Sequence, residues 1–208
     1  MSDLEKSLDS QTILMAYANG YFPMPHPETG AICWFNPDPR AILPIEGFHA
    51  SRSLKRAIAK HDFNYTINKR FNAVMEGCAD RDDTWINQDI KEAYRRLFDE
   101  GFAHSLEVWH NDKLVGGLYG VALGGAFFAE SKFHRVSNAS KAALYFLTEH
   151  LKAAGFTLLE VQFLTPHLAS LGAIEVSAEA YQDQLVAALK IPALFPYGKD
   201  MQKPVKTS

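Results

Sequence analysis

Thr157-Leu158-Leu159-Glu160-Val161-Gln162-Phe163-Leu164 is a run of apolar and β-branched residues broken by one carboxylate and one amide. That is the pattern of a strand covered on both faces, and so of an inner strand of a sheet. Side chains alternate along a strand, which puts Glu160 and Gln162 on one face and Leu159, Val161 and Phe163 on the other. A carboxylate beside an amide in an apolar inner strand is costly unless both are satisfied. From the pattern alone, the pair either ties down a neighbouring loop or belongs to a functional site.

Working outward, an inner strand needs neighbours, and the preceding sequence supplies them. Residues 105–109 and 113–123 flank the turn-prone Asn111-Asp112, which reads as a β-hairpin. A third strand, residues 126–133, follows Gly124-Gly125. Asn138 is placed to cap a long helix that runs to residue 154 and is ended by Gly155. Further upstream, Ser51 caps a basic helix through Lys60, residues 63–67 alternate like a strand, and residues 68–78 and 87–99 read as helices. Residues 177–189 form a last amphipathic helix. Helices, an antiparallel meander, a helix and an inner strand make an α+β chain with a mixed sheet.

The first 47 residues look different. Residues 10–19 read as a short helix stopped by Gly20. Three prolines in residues 21–27 argue against a regular element, and residues 34–40 are again proline-rich. The expected division is a small irregular N-terminal unit (1–47), a mixed-sheet domain (48–195) and a tail (196–208) that is mobile beyond Pro204.

Hydrophobic residues are 47% of the 208, charged residues 22%, and there are 14 Phe, 8 Tyr and 3 Trp, enough to bury a sizeable core. A net charge of −3 excludes a general nucleic-acid coater but leaves room for a local basic patch that binds one end of an RNA. The helix cations Arg52, Lys55, Arg56 and Lys60, with Lys69 and Arg70, are either such a patch or a solvated face. Residues 1–10 carry no basic leader, and no apolar run approaches bilayer length, so the expected address is cytoplasmic, with no membrane. Cys33 and Cys78 lack metal-ligand spacing and read as buried thiols; no metal is expected.

A second carboxylate lies in Phe127-Phe128-Ala129-Glu130-Ser131-Lys132-Phe133. Alone, Glu130 is a salt-bridge partner for Lys132 or Arg135. As a second acid on the same sheet, it is a candidate for gripping or deprotonating a cationic amine.

Several motifs extend this reading: Ala16-Tyr17-Ala18-Asn19-Gly20-Tyr21-Phe22-Pro23-Met24, Asn36-Pro37-Asp38-Pro39-Arg40-Ala41-Ile42-Leu43, His49-Ala50-Ser51-Arg52-Ser53-Leu54, Thr84-Trp85-Ile86 and Ala103-His104-Ser105-Leu106-Glu107-Val108-Trp109. They continue with Leu114-Val115-Gly116-Gly117-Leu118-Tyr119-Gly120-Val121, Glu130-Ser131-Lys132-Phe133, Asn138-Ala139-Ser140-Lys141 and Thr165-Pro166-His167-Leu168-Ala169-Ser170-Leu171-Gly172-Ala173. In this order, over residues 14–189, the chain resembles the leucyl/phenylalanyl-tRNA protein transferase family.

The resemblance implies a small N-terminal domain beside an acetyltransferase-like domain. It also implies a reaction in which Leu or Phe, less readily Met, passes from charged tRNA to the α-amine of a protein beginning with Arg or Lys, marking it for degradation. No cofactor is implied, because the tRNA ester is already activated. The family's general-base and relay pair, an Asp and a Gln, falls on Glu160 and Gln162, with Glu one methylene longer than the commoner Asp. Glu130 joins them as a catalytic candidate.

Aromatics of the family near the tRNA 3′ end fall on Tyr17, Trp85 and Tyr94, and its aminoacyl pocket on Leu118, Phe127 and Phe133. Met24 stands where some members have Trp. Lys132 stands where Met is common, and would snorkel out of an apolar pocket or pair with Glu130. Arg52, Lys55, Arg56 and Lys60 become the contact to acceptor-stem phosphates. A monomer is expected.

Three rivals remain in view. One is a coenzyme-A acetyltransferase of the same fold, opposed by the absence of glycine in Val136-Ser137-Asn138-Ala139-Ser140-Lys141. Another is a binding module without activity. The third keeps the chemistry but alters the donor or acceptor, for instance acidic N-termini that meet Lys132.

Overall fold

A computed structural model describes residues 8–26, 29–81 and 84–195. The expected hairpin is present: β5 (Ala103–His110) and β6 (Lys113–Leu123) pair antiparallel through a turn in which both Asn111 and Asp112 have positive φ, 49° and 58°. Such backbone suits the right-handed twist of the flanking strands, and Asn and Asp tolerate it. β7 (Ala126–His134) extends the meander, and α5 (Ala139–Ala153) then crosses to β8 (Leu158–Gln162), which pairs parallel to β7.

Asn138 does not cap α5 as its sequence position promised. It takes φ 69° and makes no side-chain cap hydrogen bond.

Seven strands form the main sheet. Their order begins at β4 (Asn64–Ile67), runs through β5, β6, β7 and β8 to β3 (Arg40–Ile42), and ends at β9 (Ile174–Val176). β8 is therefore internal, as its composition requires. It is also the β3 partner, and here the expected boundary at residue 47 does not follow the sheet. Arg40–Ile42 are hydrogen-bonded between β8 and β9, inside the main sheet.

The proline-rich stretch also differs from expectation. β1 (Phe22–Pro25) pairs with β2 (Ile32–Phe35) in a two-stranded ribbon. Pro23 and Pro25 alternate with Phe22 and Met24, so both missing N–H groups fall on the side of β1 away from β2, where they cost no ladder bond.

Helices cover both faces of the main sheet. On one face α5 and α2 (Arg52–Lys60) pack over Leu106, Val108, Leu118, Phe127, Leu159 and Val161. On the other, α1 (Ser10–Ala18), α3 (Phe71–Ala79), α4 (Gln88–Asp99) and α7 (Ala178–Leu189) cover Tyr119, Val121, Phe128 and Leu158. Ser51, Asn87 and Ser177 cap α2, α4 and α7 through their side chains. Phe71 opens α3 differently: buried Glu107 on β5 accepts the N–H groups of Lys69 and Arg70 at 3.4 and 3.2 Å.

Two irregularities shape the end of β7 and β8. Between Tyr119 and Gly120 the β6 ladder slips one residue against β7, so that Glu130 is the extra residue of a bulge. A second slip separates Ala41 and Ile42 on β3 from Gln162 and Glu160 on β8. The parallel ladder between β7 and β8 stops at Phe128 and Glu160, although β7 runs on to His134. The strands part there, and the gap is where the polar residues lie.

Candidate functional site

Where β7 and β8 part, two adjoining clefts open. The first, of about 180 Å3, has an apolar wall of Leu118, Leu144, Val161, Phe163 and Leu168 facing a polar rim. An apolar cavity of roughly 150 Å3 holds a benzene ring, so this cleft has room for one Leu or Phe side chain. The second, of about 420 Å3, has Trp85, Arg81, His134, Ser140 and His167 in its wall. Glu130, Ser131, Lys132, Gln162 and Thr165 line both.

Glu130 and Gln162 meet at this border. Gln162 Nε2 donates to Glu130 Oε1 at 3.2 Å, and the Tyr17 hydroxyl donates to the same oxygen at 2.5 Å. The Tyr17 and Tyr94 hydroxyls are 2.5 Å apart, while Glu130 Oε2 is buried without a hydrogen-bond partner. Burial pushes the Glu130 carboxyl up to about 8, against the opposing hydrogen bond from Tyr17. A bulge at Glu130 re-aims the carboxylate off the regular strand face, a frequent device beside functional sites.

Glu160 has a different place. It is fully buried, and its Oε1 accepts from Arg40 Nε at 2.9 Å and from the Gln162 backbone N–H at 2.6 Å. Arg40 is itself fully buried, held between the Phe22 and Tyr181 rings at 4.8 and 4.5 Å, with Nη1 on Asn36 Oδ1 at 3.2 Å. Burial raises the Glu160 carboxyl above its ordinary value, and the guanidinium opposes that shift. The carboxylate is thus committed to Arg40 and to the backbone of Gln162, which has the left-handed φ of 65°. It lines neither cleft. The expected shared face of Glu160 and Gln162 gives way to a stacked arrangement, with Glu160 behind and Gln162 in front.

Other expected site residues divide in the same way. Leu118 lines the apolar cleft, whereas Phe127 and Phe133 do not. Phe127 stacks on Phe195 at 5.3 Å, and Phe133 packs so tightly on Gly77 that an added Cβ would lie 2.8 Å from the ring. The bulge between them explains this, since it turns Phe127 and Phe133 into opposite cores. Of the three expected stacking rings, half-buried Trp85 faces a cleft, while Tyr17 and Tyr94 are fully buried and serve Glu130 through their hydroxyls. Met24 packs against the core around Phe22 and lines neither cleft.

No ion pair joins Glu130 to Lys132. The same bulge removes the regular same-face spacing on which that pairing depended. Arg52, Lys55, Arg56 and Lys60 are all exposed along α2. Cys78 is buried as expected, but Cys33 is only half-buried. Among the described residues no group of His, Cys, Asp or Glu is arranged to hold a metal, and no helix is long and apolar enough to cross a membrane.

Sequence reading missed the role of Arg40, although the residue stands in one of the family-like motifs. It also missed Arg81, His134, Ser140, Thr165 and His167. Thr165 and His167 lay in sight at the end of the decisive strand, but nothing local says that a four-residue helix, α6 (Pro166–Ala169), turns them back onto β7.

A family model described as the leucyl/phenylalanyl-tRNA protein transferase matches residues 42–186, and one described as the N-terminal domain of that transferase matches residues 6–38. The chain is 50% identical over 190 residues to the leucyl/phenylalanyl-tRNA protein transferase of Ruegeria sp. (strain TM1040), covering 91% of this chain and 90% of that one. It is 51% identical over 189 residues to the protein of that name from Roseobacter denitrificans, covering 90% of each. Among solved structures, a ribosomal-protein-alanine N-acetyltransferase from Brucella melitensis biovar Abortus 2308 overlays on 52% of this chain and 86% of its own, at TM-score 0.38 and 15% identity.

Proposed function

The chain belongs to the leucyl/phenylalanyl-tRNA protein transferase family, and from that premise we propose how its clefts carry an amino acid from tRNA to the N-terminus of a protein. It is an aminoacyltransferase, with aminoacyl-tRNA and protein as its substrates. We take Leu or Phe, and less readily Met, as the transferred residue, and N-terminal Arg or Lys as the acceptor. Marking the acceptor for degradation, a cytoplasmic address and a monomeric state belong to the same reading. So does the division of the chain into a small N-terminal domain and a catalytic one.

The observation that carries this reading is the Gln162–Glu130 hydrogen bond at the border of an apolar-walled cleft and a cleft lined by the half-buried indole of Trp85. A donor laid across that border puts its Leu or Phe side chain among Leu118, Leu144, Val161 and Leu168, and its terminal base near Trp85. The ester carbonyl then lies beside Glu130 and Gln162.

The acceptor's α-amine attacks the ester carbonyl carbon. A C–N bond forms, the C–O bond to the ribose breaks, one amine proton leaves the nitrogen, and the departing ribose oxygen gains one to become a hydroxyl. Glu130 is the group placed to take it, for its carboxyl titrates at about 8, close to the roughly 7.7–8.0 of an α-amine. Gln162 orients Glu130, and Glu160 with Arg40 orients Gln162. Glu160 is therefore a positioning residue in this mechanism, and not the base.

Incubating the chain with radiolabelled Leu-, Phe- and Arg-tRNA, and with peptides beginning with Arg, Lys, Asp or Glu, tests the reading directly. Label from Leu- or Phe-tRNA is expected on Arg- and Lys-starting peptides. Label from Arg-tRNA, or on acidic peptides alone, would replace it. A thermal shift with acetyl-CoA, expected to be nil, checks the coenzyme-A rival.

A further inference from the structure

The larger cleft gathers more positive charge than its described walls balance. Two cations, Arg81 and Lys132, line it beside the imidazoles of His134 and His167, and its one described carboxyl, Glu130, is pushed toward its neutral form by burial. Lys132 makes no hydrogen bond or ion pair within the described chain, and His167 Nε2 is buried without a partner. Burial, and after it Lys132, Lys141 and His134, lower the pKa of His167, and burial and Arg81 lower that of Lys132. Asp82 and Asp83 lie outside the described residues.

A second feature points the same way. α5 opens with no side-chain cap, and its first turn borders this cleft through Ser140, whose hydroxyl is 3.5 Å from His134 Nδ1. Ala139 N–H, the first of this 15-residue helix, is taken by Val136 O at 3.1 Å, but the N–H groups that follow it, at Ser140 and Lys141, start at the wall that His134 and His167 also line. The second and third N–H groups of this helix, which lack a side-chain cap, a lysine without a partner and the unpartnered His167 Nε2, a donor when that nitrogen carries the proton, form a donor set that lacks an acceptor.

We propose that this cleft holds a phosphate of the donor, the phosphodiester between the last two nucleotides of the charged tRNA. The assignment rests on the reading above, in which the ester lies at Glu130 and Gln162. From there the apolar side chain enters one cleft, while the ribose and its 5′ phosphate can only lead into the other. Trp85 in the same wall favours a nucleotide over an acidic peptide side chain, because a base needs a ring and a carboxylate does not. Lys132 then has a purpose despite its apolar neighbours: lining both clefts, it stretches its methylenes along the apolar one and delivers its ammonium to the anion. A cationic cleft is thereby reconciled with a cationic acceptor, since the phosphate occupies the positive wall and leaves Glu130 for the amine.

The test uses the full chain and Phe-tRNA carrying either an ordinary phosphodiester or an uncharged methylphosphonate at that single linkage. In the wild type the methylphosphonate should lower kcat/KM about ten- to a hundredfold, the scale of hydrogen bonds to a charged group. In Lys132→Met the ratio between the two donors should shrink toward unity, in Lys132→Arg it should persist, and in His167→Gln it should be intermediate. Equal ratios in wild type and Lys132→Met overturn the proposal. So does a Lys132→Met effect seen as a change in preference between Asp- and Arg-starting peptides with both donors alike, for then the cleft receives the acceptor. Failure of the wild type to use ordinary Phe-tRNA at all would instead remove the functional reading on which the proposal stands, and the two failures are told apart by that control.

Discussion

Glu160 Oε1 accepts the backbone N–H of Gln162 at 2.6 Å, two residues along the same strand. A Gln with φ 65° is in backbone space that L residues rarely enter, and a buried carboxylate on its N–H is what keeps it there. The amide side chain is then free to reach Glu130. The chain of command therefore runs from Arg40 to Glu160 to Gln162 to Glu130, and only the last two reach the clefts.

Catalytic and positioning roles separate in a pH profile. If Glu130 takes the proton, single-turnover rates should rise with pH and level off above about 8. The acceptor amine titrates in the same range, so the profile is repeated with an acceptor of lower amine pKa, which moves the amine's limb and leaves that of Glu130. Glu130→Gln should abolish the remaining limb, with a loss of roughly 10²–10⁴ in rate. Glu160→Gln should lower the rate but keep the limb. Loss of the limb in Glu160→Gln and its survival in Glu130→Gln would exchange the two roles.

Arg40 and Glu160 are both fully buried, so their energetics should be those of a desolvated pair. Removing one partner leaves a charge stranded, at a cost of about 3–5 kcal/mol, whereas an apolar replacement of both can be nearly neutral. Arg40→Met and Glu160→Met should each lose stability on that scale in urea unfolding. The double variant should recover much of it. Strict additivity of the two losses would show that the pair is not coupled.

Glu130 also ties stability to pH. Its carboxyl titrates at about 8 in the folded chain, above the ordinary 4.5. Between those values the folded state binds more protons than the unfolded one, so stability falls as pH rises and the decline ends above about 8. The unfolding midpoint should drop on the order of 10–20 °C across that window relative to Glu130→Gln, which lacks the titration. Parallel curves for the two proteins would mean that burial does not hold Glu130 neutral.

Much of this was legible in the chain. The inner strand, the hairpin at Asn111-Asp112, the caps at Ser51 and Ser177 and the crossover helix follow from local pattern, which local backbone chemistry enforces. The polar triad of Glu130, Glu160 and Gln162 was legible as a set, yet not in its roles. Those depend on two bulges and on a distant arginine, and a bulge leaves no mark in strict alternation. For the same reason Phe127 and Phe133, two residues of seemingly equal parity, belong to different cores. Arg40, 120 residues from Glu160, is a pairing that only the assembled sheet creates.

Binding of charged tRNA should weaken with salt, because it rests on phosphate contacts. Arg52, Lys55, Arg56 and Lys60 are exposed and make no ion pair among the described residues, as a docking face for an acceptor stem requires. Charge reversal of Arg52, Lys55 and Arg56 should flatten the slope of log affinity against log salt by roughly one unit for each phosphate no longer neutralised. An unchanged slope would return α2 to the role of an ordinary solvated face.

Donor choice should be set in the apolar cleft, and Leu118 is the residue through which to change it. Leu118 is 1% exposed, stands opposite Lys132 in the β6–β7 ladder, and forms a wall of the cleft of about 180 Å3. Leu118→Ala removes three carbons from that wall without touching Glu130 or Gln162. A Phe side chain can use the new space, while a Leu side chain only packs less closely, so preference should move from Leu toward Phe. One methylene in an apolar pocket changes specificity by about 10- to 200-fold, which makes a shift of roughly tenfold a modest expectation. The substitution also leaves a hole in a core, with a stability loss of about 2–5 kcal/mol. Competition is therefore measured at a temperature where the variant stays folded, with Leu- and Phe-tRNA in one mixture so that loss of folded enzyme cancels. Leu118→Phe, which fills the cleft, should move the ratio the opposite way and reduce transfer of both. If neither substitution moves the ratio, the donor side chain lies elsewhere and the apolar cleft is not its pocket.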